Sequence, residues 1–403
     1  MNIVVLSSSS FDENYSSYHL MEDIILALLN RNHRVVLIQY SSSDHPILPT
    51  AIAEWSTFSC FSIKKNRNKR ASFIKRYLTE VSYYYSAGKV IKSFKDETSP
   101  DIVFIQSNNV LWAAIRCIRQ HTNAPLVYNE QDLFPENAIR SGLLSKGMIS
   151  RVLQTLQKSS YEKCSRIITI SADMRKSIMQ YLKDPVCPID VVPNWGRQLP
   201  EDYECKNPLT DQLSHEDKKK VRVVYAGTIG KMQGIDILVK AAKILEKNSN
   251  ILFYIIGDGS SKNRIVDLCC SLKCANVKIL DSVSADYAPF LYRFASINYI
   301  PLVHGAVKTC LPSKTADCFA SHRPLIVQID EDSLFAKQLR NFKGVAVIEP
   351  SNEEKLAETI LTFSSKYGVE SEPLLDTWPQ GSGDDYCRVL EETYKESFNH
   401  VKK

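Results

Sequence analysis

Short apolar runs alternate with longer stretches of helical periodicity along the first half of the chain. It begins with the β-branched run Asn2–Leu6, a serine-rich loop, a helical pattern over Tyr18–Arg31 and a second apolar run at Arg34–Gln39, which predict a βαβ unit. Helical patterns follow over Val110–His121 and Ser150–Lys163. Further strands are predicted at Asp101–Ile105, Pro125–Tyr128, Arg166–Ile170 and Ile189–Val192. This alternation is typical of a parallel, doubly wound sheet.

A polar segment from Asn194 to Lys220 separates this half from a second half with the same pattern. The second half includes a helical pattern over Asp236–Lys247 and ends with another over Tyr386–Phe398. Its strands are predicted at Val221–Ala226, Ile251–Ile256, Val277–Leu280, Ile297–Ile300, Pro324–Ile329 and Val345–Ile348. The sequence therefore predicts an α/β protein with two doubly wound, Rossmann-like domains.

The predicted organisation has four parts. Residues 1–195 form the first domain, 196–220 a linker, 221–385 the second domain, and 386–403 a helix that we expect to return to the first domain. Ligands of open parallel sheets bind beyond the carboxyl ends of the strands. We therefore expect the βα loops of the two domains to face each other across a cleft.

Composition narrows the protein class. The 403 residues are 44% hydrophobic and carry a net charge of only +5, so no overall field points to nucleic acid. No apolar run reaches the roughly 18 residues of a membrane span, and the opening residues lack the pattern of a secretory signal, so we expect a cytoplasmic protein. The 11 cysteines show no C-x-x-C spacing, which favours buried thiols over disulfides or a metal site. Cys269, Cys270 and Cys274 fall on a predicted helix and are interpreted as core packing.

Two strands of the second half end in glycine-rich turns. Strand Val221–Ala226 is followed by GTIGKMQG and strand Ile251–Ile256 by GDGSSK. Glycines there let a backbone approach a phosphate group, and Lys231 and Lys262 would supply cations. The spacing is not the G-x-G-x-x-G of dinucleotide sites, which argues against NAD. A plain βα connection explains each turn when it is considered alone. It explains two adjacent glycine-rich turns less readily.

The segment LPSKTADCFASHRP, Leu311–Pro324, combines a turn, a lysine and a carboxylate at the start of a predicted helix. Lys314 would bind a diphosphate, and Asp317 would accept hydrogen bonds from ribose hydroxyl groups. The alternative is an ordinary helix start with Ser313 as the N-cap.

Carboxylates cluster in the first half within NEQDLFPE, which contains Glu130, Asp132 and Glu136 at the end of a predicted strand. Carboxylates clustered beside a cleft are suited to orienting a hydroxyl group of a ligand. The alternative is a helix N-cap at Asp132, with Pro135 in the first turn.

The segment Lys64–Lys95 interleaves lysine and arginine with tyrosine and phenylalanine. This composition suits an interfacial helix on an anionic membrane. The alternative is a solvated basic helix that packs its apolar face on the domain core. No nucleic-acid motif accompanies it.

Together these segments resemble the GT-B retaining glycosyltransferases of family 4, in particular the bacterial cell-surface polysaccharide branch that includes fucosamine and colanic acid transferases. The resemblance covers nearly the whole chain and also implies a GT-B fold. The first domain would bind the acceptor, the second a sugar nucleotide, and transfer in the cleft would retain the anomeric configuration. The matching segments are MNIVVLSSSSF, NEQDLFPE, RIITIS, VVPNWG, YAGTIGKMQGIDIL, FYIIGDG and PSKTADCFASHRPLI.

The resemblance also implies residue roles. Asp132, Lys231 and Lys314 are the predicted catalytic residues: the carboxylate positions the acceptor and the lysines stabilise the diphosphate leaving group, with the donor phosphate as proton acceptor. The predicted donor site consists of Gly227, Thr228, Gly230, Gln233, Gly257, Gly259, Lys262, Ser282, Val283, Leu311, Pro312, Ser313 and Asp317. The predicted acceptor site consists of Ser8, Ser9, Ser10 and Glu136.

Three positions depart from the family pattern. Thr309 stands where many members have a first glutamate, Thr228 replaces an arginine, and Gln233 replaces a lysine. The branch itself often has the glutamine, so we interpret these departures as branch features.

We therefore expect an enzyme that moves a hexose-type sugar from a nucleoside diphosphate, with UDP favoured, to a lipid-linked glycan during capsule or O-antigen assembly. No metal ion or cofactor is expected. The enzyme would lie on the inner face of the plasma membrane, bound through Lys64–Lys95. Two alternatives remain: a non-catalytic GT-B subunit that binds a partner transferase or sugar nucleotide, and a nucleotide-sugar epimerase, for which no acid/base pair is evident.

Overall fold

The computed structural model describes residues 1–11, 18–41, 43, 47–64, 73–94, 99–182, 187–197, 217, 219–370 and 378–401. The chain divides into two compact units. Unit 1 comprises Met1–Asn194, Thr309–Leu311 and Gly381–Lys403, and unit 2 comprises Trp195–Lys308 and Pro312–Gln380. The boundaries differ from the predicted ones, because the described linker residues from 196 onward belong to unit 2 and three residues from the middle of the predicted second domain belong to unit 1.

Unit 1 is built on a parallel sheet of seven strands in the order β3-β2-β1-β4-β5-β6-β7. The strands are β1 Asn2–Ser7, β2 Arg34–Ser41, β3 Phe58–Lys64, β4 Ile102–Gln106, β5 Leu126–Glu130, β6 Arg166–Thr169 and β7 Ile189–Val191. The helices are α1 Tyr18–Asn30, α2 Thr50–Ala53, α3 Phe73–Lys92, α4 Leu111–Ile118, α5 Glu136–Arg140, α6 Met148–Tyr161 and α7 Ala172–Leu182. The strand order reverses between β1 and β4, where open α/β sheets bind ligands.

Unit 2 repeats the architecture with six parallel strands in the order β10-β9-β8-β11-β12-β13. The strands are β8 Val221–Ala226, β9 Ile251–Ile256, β10 Val277–Leu280, β11 Ile297–Pro301, β12 Leu325–Gln328 and β13 Val345–Ile348. The helices are α8 Asp236–Ile244, α9 Lys262–Leu272, α10 Ala288–Phe294, α11 Lys314–Ala320, α12 Leu334–Leu339 and α13 Glu353–Tyr367. The predicted doubly wound α/β fold is confirmed.

The last helix, α14 Gly383–Val401, belongs to unit 1, where it packs on α1. Two polar contacts fix it there. Arg31 lies 3.1 Å from the Asp384 carboxylate, and Nε2 of His33 lies 3.0 Å from that of Glu391. The chain therefore completes its first unit with its last residues.

The pattern analysis missed strand β3. It lies at the edge of the sheet, and most of its residues are exposed or half-buried, so the apolar run that marks the inner strands is absent. The inner strands β1, β4 and β5 are almost entirely buried, as parallel strands covered on both faces must be.

The structure shows the state of the cysteines and the lengths of the helices. All ten cysteines within the described ranges are free thiols, and the Cys269 and Cys274 side chains pack against the core of unit 2 while Cys270 is exposed. Among the described helices, none is both long enough and apolar enough to cross a membrane.

Candidate functional site

The two glycine-rich turns of unit 2 interlock at the carboxyl ends of β8 and β9. A Cβ atom on Gly257 would lie 1.9 Å from the carbonyl oxygen of Gly227, and one on Gly259 would lie 2.4 Å from that of Ile229. Gly227, Gly257 and Gly259 also have positive φ angles of 139°, 153° and 154°, which side chains disfavour. The sequence analysis assigned Gly257 and Gly259 to making room for a ligand, whereas the structure shows that they make room for the neighbouring turn.

Lys314, at the start of α11, lies on the first of these turns. Its Nζ atom donates a hydrogen bond to the carbonyl oxygen of Ala226 at 2.7 Å and lies 4.0 Å from the ring centroid of Tyr225. A Cβ atom on Gly227 would come within 2.6 Å of the same Nζ. Burial lowers the pKa of Lys314 to about 8, so the side chain is mostly protonated at neutral pH. The start of α11 and the Gly227 turn, which are far apart in sequence, therefore lie together, and Lys314 gives the turn a positive charge.

Lys231 follows the first turn, in the 3-10 helix Lys231–Gln233. Its side chain is exposed, and in the part of the chain that the structure describes no ion pair or hydrogen bond engages its ammonium group. Gln233 folds back over Gly230, where an added Cβ would lie 2.8 Å from Oε1. Thr228 is exposed, and its carbonyl oxygen accepts a 2.5 Å hydrogen bond from Tyr225. Lys231 is therefore a cation available to an incoming anion.

Lys262 differs from Lys231 because its charge is already compensated. Its Nζ atom lies 2.5 Å from the carboxylate of Asp281, and this contact lowers the pKa of Asp281. Ser282 and Val283 follow directly in the loop after β10, with Ser282 exposed and Val283 half-buried. The predicted cationic role of Lys262 is weakened, since an anion would have to compete with Asp281.

Asp317 has a neighbour that the sequence analysis missed. The backbone N–H of Arg197 donates to Asp317 Oδ1 at 2.9 Å, and the Arg197 guanidinium donates to the carbonyl oxygen of Ala285 and lies 3.8 Å from Asp286. Burial raises the pKa of Asp317 to about 6, so the carboxylate still dominates at neutral pH. Arg197 thereby links Asp317, the predicted ribose-binding residue, to the 3-10 helix Ala285–Tyr287, which follows the loop that contains Ser282. Its place in VVPNWGR offered no signal, because the contacts come from distant parts of the sequence.

The segment that precedes Lys314 adds detail to two expectations. Leu311, predicted to bind the donor, is half-buried and packs on the core of unit 1. Ser313 occupies the N-cap position of α11, as the alternative interpretation predicted, but it has helical backbone angles and its side chain makes no capping hydrogen bond. The carbonyl oxygen of Pro312 accepts a 2.7 Å hydrogen bond from the hydroxyl group of Thr315.

Residues 309–311 belong to unit 1 because they pair with the strand end that carries the carboxylates. Asp132 and Cys310 form an antiparallel bridge, and the N–H of Leu133 donates to the carbonyl oxygen of Thr309 at 2.8 Å. Thr309 is buried, with an exposure of 3%. Thr309 is therefore a packing residue of unit 1.

Glu130 is a fully buried carboxyl group at the end of β5. Tyr161 donates to it at 2.5 Å, and Tyr128, Ser107 and Gln157 each donate at 3.3 Å. Burial raises its pKa to about 8 despite these donors. Glu130 is therefore largely protonated at neutral pH, in a closed hydrogen-bond network.

Asp132 keeps an exposed surface, yet the protein around it raises its pKa to about 7 through desolvation. The two observations are compatible because a side chain can touch water and still lack the bulk water that hydrates a charge. Asp132 caps no helix, since α5 begins only at Glu136 and Pro135 precedes it without a side-chain cap. The predicted alternative of a helix N-cap is wrong.

Glu136 is oriented by α6. Its Oε1 atom accepts a 3.0 Å hydrogen bond from Gln154, and burial raises its pKa. Glu136 is therefore a half-buried carboxyl group held in place by α6.

The serine-rich loop after β1 forms part of a small cavity. Ser9 and Ser10 line it together with Gln39 and Gln106, and its volume is about 50 Å³. Ser10 Oγ is buried and has no hydrogen-bond partner among the described residues. Ser8 does not line the cavity. Apolar side chains such as Met21 and Leu37 complete the lining, so the cavity combines hydroxyl and amide groups with apolar surface.

A metal-ligand set arises in unit 2 at the carboxyl ends of β11, β12 and β13. His304, Asp330 and Glu349 place one ligand atom each within 4.8 Å of one another. His304 Nδ1 lies 2.5 Å from Asp330, and the N–H of Gly305 donates to both oxygens of that carboxylate. These contacts account for the buried Asp330 without a metal ion.

Comparison with known proteins identifies both units. Residues 20–195 match the model of Glycosyltransferase Family 4, and residues 209–372 match that of Glycosyl transferases group 1. The chain is 25% identical over 256 residues to the colanic acid biosynthesis glycosyl transferase WcaI of Escherichia coli K12, covering 61% of each protein. The match thus spans about three fifths of that relative's length.

Solved structures agree on the fold. Sucrose-phosphate synthase from Thermosynechococcus elongatus superposes with a TM-score of 0.70 at 12% identity, covering 100% of this chain and 98% of that protein. The structure of Anabaena HepE in complex with UDP gives a TM-score of 0.59 at 14% identity, covering 100% of both chains.

Proposed function

Since the chain belongs to the GT-B glycosyltransferases, with a family 4 domain followed by a group 1 domain, we propose that it transfers a sugar from a nucleoside diphosphate to a glycan acceptor. The product belongs to cell-surface polysaccharide biosynthesis, because a relative is named for colanic acid biosynthesis.

One observation carries this proposal: Lys314 lies on the Gly227 turn, and the exposed Lys231 follows the same turn in the chain. Positive charge and a glycine-rich strand end are the features that bind a diphosphate. The two lysines stabilise the negative charge that grows on the diphosphate as the bond to the sugar breaks. Asp317, one helical turn after Lys314, binds ribose hydroxyl groups.

In the proposed reaction, the anomeric carbon loses its bond to the diphosphate oxygen and gains a bond to an acceptor oxygen. The acceptor hydroxyl proton passes to the departing phosphate, and the configuration is retained. Asp132 orients the acceptor, with Glu136 and the serine loop of unit 1 as further contacts. UDP is the favoured nucleotide, a choice supported by the UDP complex of the structurally similar HepE.

The acceptor is a lipid-linked glycan intermediate of capsule or O-antigen assembly, reached from the inner face of the plasma membrane. Support comes from α3, where Ile74 and Leu78 are exposed beside Lys75 and Arg76. Residues 65–72 and 95 of the predicted basic segment lie outside the described residues.

A donor screen tests the proposal. Purified protein is incubated with UDP-, GDP- and dTDP-sugars and isolated bacterial membranes as acceptor, and release of free nucleoside diphosphate is measured. We expect release with a UDP-sugar and incorporation of its sugar into lipid-extractable material. A product still linked to nucleotide would indicate an epimerase. Tight UDP binding with no release from any donor would indicate a non-catalytic subunit.

A further inference from the structure

Helix α6 exposes large apolar side chains in its first turns and buries several polar ones. Its buried residues are Ser150, Gln157, Ser160 and Tyr161, and the first three of these are not apolar. Met148, Ile149 and Val152 instead face outward, with 83%, 68% and 52% of their surface exposed. A solvated helix on a domain surface is expected to show the opposite arrangement.

The polar side of α6 is buried for a reason within unit 1. Gln157 and Tyr161 donate to the buried Glu130, and Gln154 donates to Glu136. These contacts explain why polar residues face inward. They do not explain why three large apolar side chains face outward, where serine or lysine would fit equally well.

Basic residues lie close in sequence to the outward apolar side chains. Arg151 is exposed on α6 itself, and Arg140 and Lys146 are exposed in the segment just before it. The first turn of α6 contains no acidic residue. The acidic residue at the far end, Glu162, lies 4.0 Å from Lys158. The apolar end of the helix is therefore a cationic surface.

This surface continues across the neighbouring helices of unit 1. Helix α4 packs against both α3 and α6, so the three helices form one layer. In a parallel α/β sheet such helices begin at the carboxyl ends of the strands, which places Met148 on α6 and the exposed Ile74 on α3 at the same edge. Between α3 and α4 lies an open groove of about 400 Å³ lined by Leu78, Tyr85 and Trp112.

We propose that the start of α6 docks on an anionic bilayer, with Met148, Ile149 and Val152 among the acyl chains and the neighbouring arginine and lysine side chains on lipid phosphates. Exposed apolar side chains, with basic residues on the same helix and in the segment before it, fit this partner. A second copy of the chain fits less well, because a twofold contact through this face would bring Arg151 and Lys146 toward their own copies.

This proposal deepens the proposed function, because it adds a membrane contact to an enzyme whose acceptor is lipid-linked. It differs from the contact inferred for Lys64–Lys95 in relying on apolar insertion by another helix. The membrane contact of α6 and the proposed sugar transfer can be tested separately, since vesicle binding needs neither donor nor acceptor.

The test is a triple variant, M148S/I149S/V152S, compared with a control variant, I244S/V266S/L361S, which removes three exposed apolar side chains from unit 2. Sedimentation with vesicles of phosphatidylcholine and phosphatidylglycerol measures affinity. We expect the α6 variant to bind at least about tenfold more weakly than wild type, and the control variant to bind like wild type. Binding of wild type to vesicles of phosphatidylcholine alone should be much weaker.

A second variant, M148W, reports insertion directly. Its added tryptophan emission should shift to shorter wavelength on anionic vesicles and be quenched by lipids brominated on the acyl chain. Unchanged emission, or equal vesicle affinity of the α6 variant and wild type, would overturn the proposal. Light scattering that shows a wild-type dimer which the α6 variant loses would also overturn it, in favour of a second copy as the partner. UDP binding measured on the same variants shows whether the donor site is intact.

Discussion

The carboxyl edges of the two sheets, built on the same topology, carry contrasting chemistry. In unit 2 this edge presents glycine turns with two cations, Lys231 and Lys314. In unit 1 it presents serine and amide groups, with carboxyl groups whose pKa values are about 8 for Glu130 and about 7 for Asp132. The topology determines where a ligand binds, and the loops determine which ligand it is. We therefore expect one edge to bind a diphosphate and the other to bind a polyol.

The largest effect is expected from breaking the interlocked turns of unit 2. The methyl group added by Gly257→Ala would lie 1.9 Å from the carbonyl oxygen of Gly227. This distance is too short for two non-bonded atoms, so the two turns must move apart. We expect unit 2 to lose about 3 kcal/mol of unfolding free energy or more, and UDP affinity to fall at least about a hundredfold. Denaturant unfolding and calorimetric titration measure the two effects. Gly147→Ala in unit 1, where nothing lies within 4 Å of the added Cβ, is the matched control.

The next largest effect concerns the available cation. Lys231→Ala should reduce turnover at least about a hundredfold, because one preorganised charge at a developing anion contributes about 3 kcal/mol. Lys247→Ala removes an equally exposed lysine beyond the opposite end of α8 and should leave the rate unchanged. If the Lys231→Ala protein has the wild-type melting temperature and a near-normal rate, Lys231 is not part of the site.

Glu130 should give unit 1 a characteristic pH dependence. Its pKa is raised from 4.5 to about 8 on folding, so the folded state holds a proton that the unfolded state releases. The resulting stability is fully present below pH 4.5 and is lost as the pH rises to about 8, at up to about 1.4 kcal/mol per pH unit.

Urea unfolding of Glu130→Gln at several pH values measures this loss, since glutamine cannot release the proton. The slope of unfolding free energy against pH should therefore be shallower than in wild type. Glu354→Gln, at an exposed position in unit 2, should keep the wild-type slope. Parallel curves for Glu130→Gln and wild type would contradict the buried, protonated state.

The smallest effect is expected at the proposed ribose contact. Asp317→Ala should weaken UDP binding about tenfold while changing the rate at saturating donor much less, because ribose is bound alike in ground and transition states. Wild type should bind 2′-deoxy-UDP about as weakly as the variant binds UDP. The variant should bind 2′-deoxy-UDP and UDP with nearly equal affinity. Additive losses would mean that Asp317 contacts another part of the donor.

The doubly wound fold could be predicted because buried parallel strands and their helices leave strong periodic signals. Strands β8, β9, β10 and β13 match the predicted bounds. Edge strand β3 left no such signal, since half-exposed residues do not form an apolar run. The glycine turns and Lys314 were also recognisable as local motifs. Their roles were less so, because the need for Gly257 comes from the backbone of a different turn.

The sequence by itself determined the succession of strands and helices, the glycine-rich ends of β8 and β9, and the residue types available for a diphosphate. Tertiary structure alone decided which of them meet. In the folded chain Lys314 lies on the Gly227 turn, and Asp281 pairs with Lys262. The backbone of Arg197 donates a hydrogen bond to Asp317, and Leu311 belongs to unit 1. Met148, Ile149 and Val152 of α6 remain exposed. The physical reason is that periodicity records burial along one element, whereas charge pairing, desolvation and the facing of a helix depend on neighbours distant in sequence.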